Sequence, residues 1–417
     1  MRRTVCWLLA LVLLWGIAGC TNEYTAAEST IQPTQETEPS ETQLSTEETA
    51  APTEETTEPT LPPKTEEELR EERIRGYIDR MRLEEQVAQL FVVNPEVLDG
   101  SGVVTKTSDE ALDFLSRVPV GGIVYMGSNL LFPEQTKAML QTVQEHSLEQ
   151  FGLPLFLCVD EEGGTVARIS GSGRFSVPVI GDMRDVSDVQ EALEIGRTMG
   201  TYLRELGFTV DFAPVADVLS NPDNQVVRRR SFGADPQKVA ELAMAVGEGL
   251  MEQGVFAVYK HFPGHGSTAG DSHYGYAYTD KTLQQLESCD LLPFQLVIEN
   301  GAAFVMVGHI ALPQVTGEDV PASMSHTIIT ELLREQMGYR GIVITDSLAM
   351  GAVTQHYAPG EAAVQTILAG SDLILVPQDF QQAYDAVLEA VRNGTISQER
   401  LEQSLMRILY VKLQMLQ

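Results

Sequence analysis

The chain has 417 residues, of which 21% are charged, and its formal net charge is −31 at pH 7. Residues 1–20 carry +2 and residues 21–65 carry −9, which leaves −24 on residues 66–417. Such an acidic body argues against nucleic acid and anionic lipid surfaces as ligands, because both are polyanions.

Residues 1–19 predict a lipoprotein signal peptide. A charged start is followed by the short apolar run VCWLLALVLLWGIAG, which ends in small residues before Cys20. This pattern is typical of a secretory signal, and the run is shorter than the roughly 20 residues of a membrane-spanning helix. The ending IAGC resembles the bacterial lipobox, which implies cleavage before Cys20 and acylation of that residue; an uncleaved signal anchor is the alternative. We therefore expect an exported protein, lipid-anchored to the outer face of the bacterial cell membrane through acyl chains on Cys20 that enter the bilayer.

The composition of residues 20–65 predicts a disordered tether. The segment is rich in Thr, Glu, Pro, Ser and Gln and has almost no large apolar side chains. It cannot bury enough apolar surface to offset the entropy lost on ordering, and proline and like charge keep it extended. We expect it to hold a folded domain, residues 66–417, away from the membrane.

The folded domain alternates short apolar runs with longer amphipathic stretches. The runs are rich in β-branched and aromatic residues and do not alternate with polar ones, which is typical of strands buried on both faces. Eight runs with helical patterns between them predict an α/β fold, a single TIM-type (β/α)8 barrel, with a doubly wound open sheet as the alternative. A last helix, 397–415, is expected outside the barrel. The runs are 89–93, 121–126, 154–159, 209–215, 255–260, 303–309, 341–345 and 372–376, and the clearest helical patterns are 190–206, 236–253, 283–300, 326–337 and 379–392.

Polar residues stand at the ends of several of these runs. In a (β/α)8 barrel the chemistry lies at the carboxyl ends of the strands, so these residues are expected to share one face. For any single one of them, a helix cap or a solvated loop residue is the alternative. The polar strand-end residues are Asp160, Asp211, Asp217, Lys260, His261, His309 and Asp346.

Four motifs resemble those of glycoside hydrolase family 3. LLREQMGYRGIVITDSLA (332–349) resembles the family signature, and VDEEGGTVAR (159–168) resembles its Asp-x-Glu-Gly-Gly-x-Val-x-Arg run. NPDNQVVRRRSFGADP (221–236) is similar to its Arg-Ser-Phe-Gly region. KHFPGHGSTAGDSH (260–273) resembles the Asp-Ser-His loop of the family's β-N-acetylhexosaminidases, also called β-N-acetylglucosaminidases.

The resemblance implies a retaining glycosidase with Asp346 as its nucleophile. Such an enzyme also needs a proton donor at the leaving oxygen. In many family members this donor is a carboxylate from a downstream domain, which we do not expect in this chain. In the β-N-acetylhexosaminidases it is the His of the Asp-Ser-His loop, here His273, with Asp271 as its partner. An imidazole titrates near pH 6.5, so it can give a proton to the leaving group and then take one from water.

The resemblance also implies a set of residues that bind the sugar. Lys260 and His261 are expected to bind its hydroxyls, Asp160 to accept from two of them, and Arg168 and Arg230 to complete the polar ring. A surface ion pair that contributes little stability is the alternative for each.

A zinc site is an alternative use of the histidine-rich loop. His261 and His265 are four residues apart, and Asp271 and His273 follow them. A proline and several glycines rule out a helix here, so this spacing does not bring the two imidazoles to one face. We therefore expect no metal and no other cofactor, and a structural role for His265.

These features together predict an exo-β-N-acetylglucosaminidase that hydrolyses terminal β-linked GlcNAc. Its expected partners are GlcNAc-containing glycans or muropeptides from peptidoglycan, and no nucleic acid. A phosphorylase is an alternative, because a neutral His would not repel phosphate as a carboxylate would. A non-catalytic glycan-binding lipoprotein is another.

Overall fold

The computed structural model describes residues 64–100, 102–270, 275 and 277–416. The predicted signal peptide, Cys20 and nearly all of the predicted tether lie outside these residues, and so do Asp271 and His273. Within the described part, none of the helices combines the length and hydrophobicity needed to cross a bilayer.

Eight parallel strands form the centre of the described domain. They are Phe91–Val93 (β1), Gly122–Val124 (β2), Phe156–Val159 (β3), Val210–Asp211 (β4), Phe256–Phe262 (β5), Phe304–Val307 (β6), Ile342–Thr345 (β7) and Ile374–Leu375 (β8). Each strand from β1 to β6 pairs with the next one along the chain, and β1 also pairs with β8. The sheet closes between β7 and β8, where Asp372 N donates to Val343 O at 2.8 Å and Thr345 N donates to Leu373 O at 3.1 Å. The (β/α)8 barrel is therefore confirmed over an open sheet.

The strands form where the apolar runs predicted them because the barrel buries both of their faces. Every residue of the eight strands is buried. Phe156 of β3 and Phe304 of β6 meet edge to face with ring centroids 5.3 Å apart. Such a core leaves the strand ends as the only places where strand side chains can meet solvent or substrate.

Helices surround the barrel. Asp188 and Asp235 begin two of them, since each carboxylate accepts hydrogen bonds from two amides of the following first turn. These two helices lie close together at Gly196, where a Cβ would stand 2.2 Å from Val246 O. The α-helices are Glu66–Ile78, Leu83–Ala88, Pro95–Asp99, Asp109–Arg117, Pro133–Phe151, Val189–Leu206, Pro236–Glu252, Leu283–Glu287, Leu292–Glu299, Pro313–Thr316, Gly351–Thr354, Pro359–Ala369, Phe380–Arg392 and Gln398–Gln414; Thr327–Gln336 is a π-helix, and Met183–Asp185, His265–Ser267 and Ala322–Met324 are 3-10 helices.

One helix prediction is wrong. The pattern at 283–300 predicted a single helix, but the segment forms two, Leu283–Glu287 and Leu292–Glu299. Pro293 lies in the first turn of the second helix. Proline has no amide proton and its ring clashes with the preceding turn, so it fits at a helix start and not in a helix interior.

Candidate active site

A buried cluster of charges lies at the carboxyl ends of β3 and β5. The Lys260 Nζ atom is 2.9 Å from Asp160 Oδ1 and 2.6 Å from Glu162 Oε1. The Arg230 guanidinium donates two hydrogen bonds to Glu162, at 2.6 and 2.7 Å. The Glu162 side chain is only 1% exposed, so one buried carboxylate holds both cations.

These charges keep each other ionised. Burial favours the neutral form of Glu162, but Arg230 and Lys260 outweigh it and hold the pKa of Glu162 well below its ordinary value. Burial likewise opposes the charged form of Lys260, but Glu162 and Asp160 raise the pKa of Lys260 above its ordinary value. The site therefore presents two permanent cations whose positions are fixed.

Asp217, from the loop after β4, fixes His261 and the chain that follows it. Its Oδ2 is 2.7 Å from His261 Nδ1, and its Oδ1 accepts from the amides of His261 at 3.1 Å and His265 at 2.6 Å. Burial opposes ionisation of Asp217, but its pKa is lowered because both imidazoles and the amide of His265 favour the carboxylate. An ionised carboxylate only accepts hydrogen bonds, so Nδ1 of His261 carries a proton. The other ring nitrogen, Nε2, lies 3.3 Å from Arg230 Nη2. The Lys260–His261 peptide bond in this segment is cis.

Asp346 directly follows β7 and is partly exposed. Its amide donates to Val307 O at 2.9 Å, and its Oδ1 accepts from the amide of Ser347 at 2.7 Å. Burial favours the neutral acid, but the charges of His261 and His309 and the Ser347 amide outweigh it and lower the pKa of Asp346 below its ordinary value. Asp346 is therefore an ionised, oriented carboxylate on a rigid strand end.

Asp160 and Arg168 lie at the more exposed edge of the cluster. The Arg168 Nη2 atom is 3.8 Å from Asp160 Oδ2, and the two side chains are 35% and 19% exposed. The chain turns between them at Gly163 and Gly164, whose φ angles are 88° and 54°. A Cβ on Gly164 would stand 2.2 Å from Asp182 Oδ1, so this turn requires glycine. The Glu-Gly-Gly motif thus brings Arg168 back beside Asp160.

Two further carboxyl groups beneath this turn hold the backbone. Glu161 accepts from the amides of Ile169 and Ser170 at 2.7 and 2.8 Å and from the Tyr202 hydroxyl at 2.8 Å. Asp211, at the end of β4, accepts from the Glu161 amide at 2.9 Å, and burial raises the pKa of Asp211 well above its ordinary value. Both are fully buried, so Asp211 supports the loop and does not face a ligand.

The segment with the predicted acid–base pair, Asp271 and His273, falls outside the described residues, but its flanks do not. Ala269 and Tyr278 exchange two backbone hydrogen bonds, at 3.1 and 3.2 Å, which bring the two ends of the segment together. A cavity of about 420 Å³ lies beside this point, between residues 221–226 and 268–270.

A larger cavity, about 590 Å³, lies at the opposite end of the barrel. It is lined by residues at the amino ends of β5 and β7 and by helices Glu66–Ile78 and Gln398–Gln414. The polar residues singled out from the sequence do not line it. Cavity size therefore does not mark the candidate site, and the converging charges at the carboxyl ends of the strands do.

The metal alternative gains no support from the described residues. Among them, no three His, Cys, Asp or Glu side chains are arranged to hold a metal ion. His261 is engaged by Asp217, and His265 Nδ1 lies 2.9 Å from the Thr268 hydroxyl. The zinc site considered from the sequence would also use Asp271 and His273, which the structure does not describe.

Comparison with known proteins identifies the family. The sequence model of the glycosyl hydrolase family 3 N terminal domain matches residues 82–411. The chain belongs to glycosyl hydrolase family 3. The resemblance read from the motifs is thereby confirmed.

The chain is similar to proteins named beta-hexosaminidase and to a solved family 3 structure. Beta-hexosaminidase A of Pseudoalteromonas piscicida is 33% identical over 347 residues, covering 75% of this chain and 56% of that protein. Beta-hexosaminidase LpqI of Mycobacterium tuberculosis is 37% identical over 337 residues, covering 79% of this chain and 82% of that protein. The structure of a family 3 β-N-acetylglucosaminidase from Paenibacillus sp. is 36% identical with a TM-score of 0.75, covering 81% of this chain and 63% of that one. The chain thus spans less than two thirds of the length of two of these three relatives.

The structure brings together all five residues that were expected to bind sugar. Asp160, Arg168, Arg230, Lys260 and His261 are linked by direct contacts at one end of the barrel. Sequence reasoning did not identify the hub of this family 3 site, Glu162. The signal was present, since Glu162 is the Glu of the motif Asp-x-Glu-Gly-Gly, but nothing local in the sequence shows which cations a Glu will meet. Asp217 was noted as a strand-end residue without a role.

Proposed function

We propose that the protein is a retaining exo-β-N-acetylglucosaminidase that releases terminal β-linked GlcNAc, with peptidoglycan fragments as its source of substrate. The relatives named β-hexosaminidase and β-N-acetylglucosaminidase support the sugar and the reaction. The single observation that carries the proposal is the position of the Asp346 carboxylate, directly after β7 and with its Oδ1 held by the Ser347 amide. The nearby charges of His261, His309 and Lys260 lower its pKa. A fixed anion beside fixed hydroxyl-binding cations is the arrangement that a covalent glycosidase mechanism needs.

Asp346 acts as the nucleophile in this proposal. One of its oxygens attacks the anomeric carbon as the bond to the leaving oxygen breaks, which gives a glycosyl ester on Asp346. The lowered pKa of Asp346 keeps the attacking form populated. The hydrogen bond from its own amide to Val307 O fixes its main chain, and the Ser347 amide orients its carboxylate, so little freedom is lost on reaching the transition state.

His273 acts as the general acid and base, with Asp271 as its partner. In the first step the His273 imidazolium gives its proton to the leaving oxygen. In the second step the neutral imidazole takes a proton from water as that water attacks the anomeric carbon, which releases the sugar and restores Asp346. The two backbone hydrogen bonds between Ala269 and Tyr278 support this role, because they bring the chain on either side of Asp271 and His273 together.

The charge cluster binds the non-reducing sugar. Asp160 has exposed carboxylate surface and can accept from two hydroxyls, while Lys260 has a third N–H left after its bonds to Asp160 and Glu162. Arg168, beside Asp160, and Arg230, beside Glu162, can donate hydrogen bonds to further hydroxyls of the sugar. A sugar buried among such groups is recognised by its hydroxyls, which suits removal of one terminal residue at a time.

The proposal includes export and attachment through acylated Cys20. The short apolar run ending in IAGC and the acidic, proline-containing segment 20–65 support it. Such a tether would let the barrel reach glycans at a distance from the bilayer.

Turnover by the full-length protein in detergent tests the proposal. The rates with an aryl N-acetyl-β-glucosaminide and with the matching β-glucoside are compared, each with and without inorganic phosphate. Strong preference for the N-acetyl sugar, independent of phosphate and with retained β configuration in the first-formed product, is the expected result. Sugar 1-phosphate as the product would replace hydrolysis by phosphorolysis, and no turnover of either sugar would favour a glycan-binding protein.

A further inference from the structure

We propose that His309 is a positioning residue that aims the nucleophile: its imidazole holds the main chain of Ser347, and Ser347 in turn holds one oxygen of Asp346. The inference rests on the proposed role of Asp346. His309 stood out in the sequence as a polar residue after β6, and neither sugar binding nor proton transfer accounts for it.

The hydrogen bonds of His309 define its tautomer. The side chain is completely buried, and its Nε2 atom lies 2.9 Å from Ser347 O while its Nδ1 atom lies 2.8 Å from Ser323 Oγ. A carbonyl oxygen only accepts, so Nε2 must carry a proton in either charge state of the ring. In the neutral ring Nδ1 is then the acceptor, and the Ser323 hydroxyl donates to it. The Ser347 carbonyl therefore fixes the tautomer, and the Ser323 hydroxyl satisfies the other ring nitrogen.

Ser347 transmits this constraint to the nucleophile. Its amide donates to Asp346 Oδ1 at 2.7 Å, and no hydrogen bond from the described residues reaches Asp346 Oδ2. One oxygen is thus fixed and the other is left to attack. The chain just beyond is anchored separately, since the amides of Leu348 and Ala349 donate to β8 and the residue after it, at 3.0 and 3.1 Å. Loss of the His309 contact is therefore expected to release Ser347 alone and to leave the loop in place.

A purely structural role is the competing explanation. A buried imidazole with two satisfied nitrogens can also serve only to complete the core, and its removal would then lower stability without a specific effect on the reaction. The two roles differ in the kinetic step they touch. A misaimed nucleophile slows formation of the glycosyl ester and its breakdown, but it does not weaken binding of the free sugar.

The test compares His309→Ala, His309→Gln and Ser323→Ala in the full-length protein. The Gln side-chain amide can donate as imidazole Nε2 does, so it is the conservative variant. His146→Ala is the matched control, because His146 is also a histidine bonded to a serine hydroxyl, Ser116, at 2.9 Å, but on the outer helices. The measured quantities are kcat for aryl N-acetyl-β-glucosaminides with good and poor leaving groups, the inhibition constant of free GlcNAc, and the thermal midpoint.

We expect His309→Ala to lower kcat about 10- to 100-fold, the range that a displacement on the order of 1 Å produces. The loss in kcat should be similar for good and poor leaving groups, and the inhibition constant of GlcNAc should change less than about threefold. The logarithm of kcat for His309→Gln should recover at least about a third of the decrease seen for His309→Ala. Ser323→Ala should lose less than His309→Ala in the same direction, and His146→Ala should match the wild type. If His309→Ala does not fold, kcat and the GlcNAc inhibition constant of His309→Gln and Ser323→Ala carry the test, with a lower kcat and a nearly unchanged inhibition constant as the expected result.

Two results would overturn the inference. One is an unchanged kcat in the folded His309 and Ser323 variants. The other is a rise in the GlcNAc inhibition constant as large as the fall in kcat, which would mean that the sugar site itself is distorted. Failure of the proposed function is recognised separately, by a wild-type protein that does not turn over the substrate or by an Asp346→Asn variant that does.

Discussion

Replacement of Glu162 by Gln tests whether one buried carboxylate organises the candidate site. In the wild type, Glu162 accepts two hydrogen bonds from Arg230 and lies 2.6 Å from Lys260 Nζ, with 1% of its side chain exposed. Gln keeps the shape but removes the charge. Arg230 then has no carboxylate partner within ion-pair distance among the described residues, and Lys260 keeps only Asp160.

The expected loss follows from the cost of an uncompensated buried charge. Breaking a buried ion pair by removing one partner costs about 3–5 kcal/mol. The folded domain has about 350 residues, and unfolding entropy is about 2.1 cal/mol/K per residue, so about 0.74 kcal/mol shifts the thermal midpoint by 1 °C. The midpoint should therefore fall by about 4–7 °C. The Gln oxygen can still accept one hydrogen bond, so the lower end of this range is expected.

A second Arg–Glu pair in the same protein is the control. Arg197 donates to both oxygens of Glu252, one of them at 3.0 Å, but these side chains are 35% and 37% exposed. Glu252→Gln removes the same chemistry from a solvated pair and should shift the midpoint little. The assay is calorimetry or circular dichroism on both variants at pH 7, with kcat and KM measured alongside. Equal midpoints for the two variants would refute the reasoning that burial gives Glu162 its importance.

The pH dependence gives an independent check on the same residue. The folded pKa of Glu162 is lowered, so its contribution to the free energy of unfolding is fully present above the unfolded pKa, about 4.3, and is lost as the pH falls toward the folded value. The difference in stability between wild type and Glu162→Gln should therefore be constant near neutrality and should shrink below about pH 4.3. A difference that does not change with acidification would contradict the assigned sign.

Four further predictions follow from the site and from the sequence. Asp346→Asn should abolish turnover and leave the thermal midpoint within a few degrees of wild type; retained turnover would remove Asp346 as the nucleophile. His273→Ala should slow hydrolysis of substrates with poor leaving groups far more than of activated aryl glycosides, and equal losses for both would contradict its role as an acid. Lys412 is fully buried beside Gln89, and burial lowers its pKa to about 7, so the folded state binds fewer protons than the unfolded state between about pH 7 and 10.5. Lys412→Met should thus raise the urea midpoint at about pH 7, with a gain that narrows toward pH 10, whereas a gain independent of pH would refute this assignment. Cys20→Ser should move the protein from the membrane fraction to the soluble or secreted fraction and abolish labelling by a fatty acid, and unchanged membrane association would contradict lipid anchoring.

The sequence determined the fold because the signals for it are local. Each barrel strand is buried on both faces, so each appears as an unbroken apolar run; seven of the eight strands lie within the runs identified from the sequence, and β5 extends two residues beyond its run, to Phe262. The break at Pro293 shows the limit of periodicity, since the apolar spacing of 283–300 continues through a residue that cannot lie inside a helix. The motif around Asp346 likewise marked the end of β7, because the apolar run and the polar residue after it are contiguous in the chain.

Only the tertiary structure decided which charges meet. Lys260 lies 100 residues from Asp160 in sequence, and Arg230 lies 68 residues from Glu162, yet both pairs are within hydrogen-bond distance. These contacts arise when β3, β4 and β5 pair side by side and bring their carboxyl ends together. Ion pairing depends on distance and burial, and neither is encoded by spacing along the chain. For that reason the sequence alone determined the barrel and the candidate nucleophile, whereas Glu162 and His309 acquired their partners only when strands distant in sequence paired in the sheet.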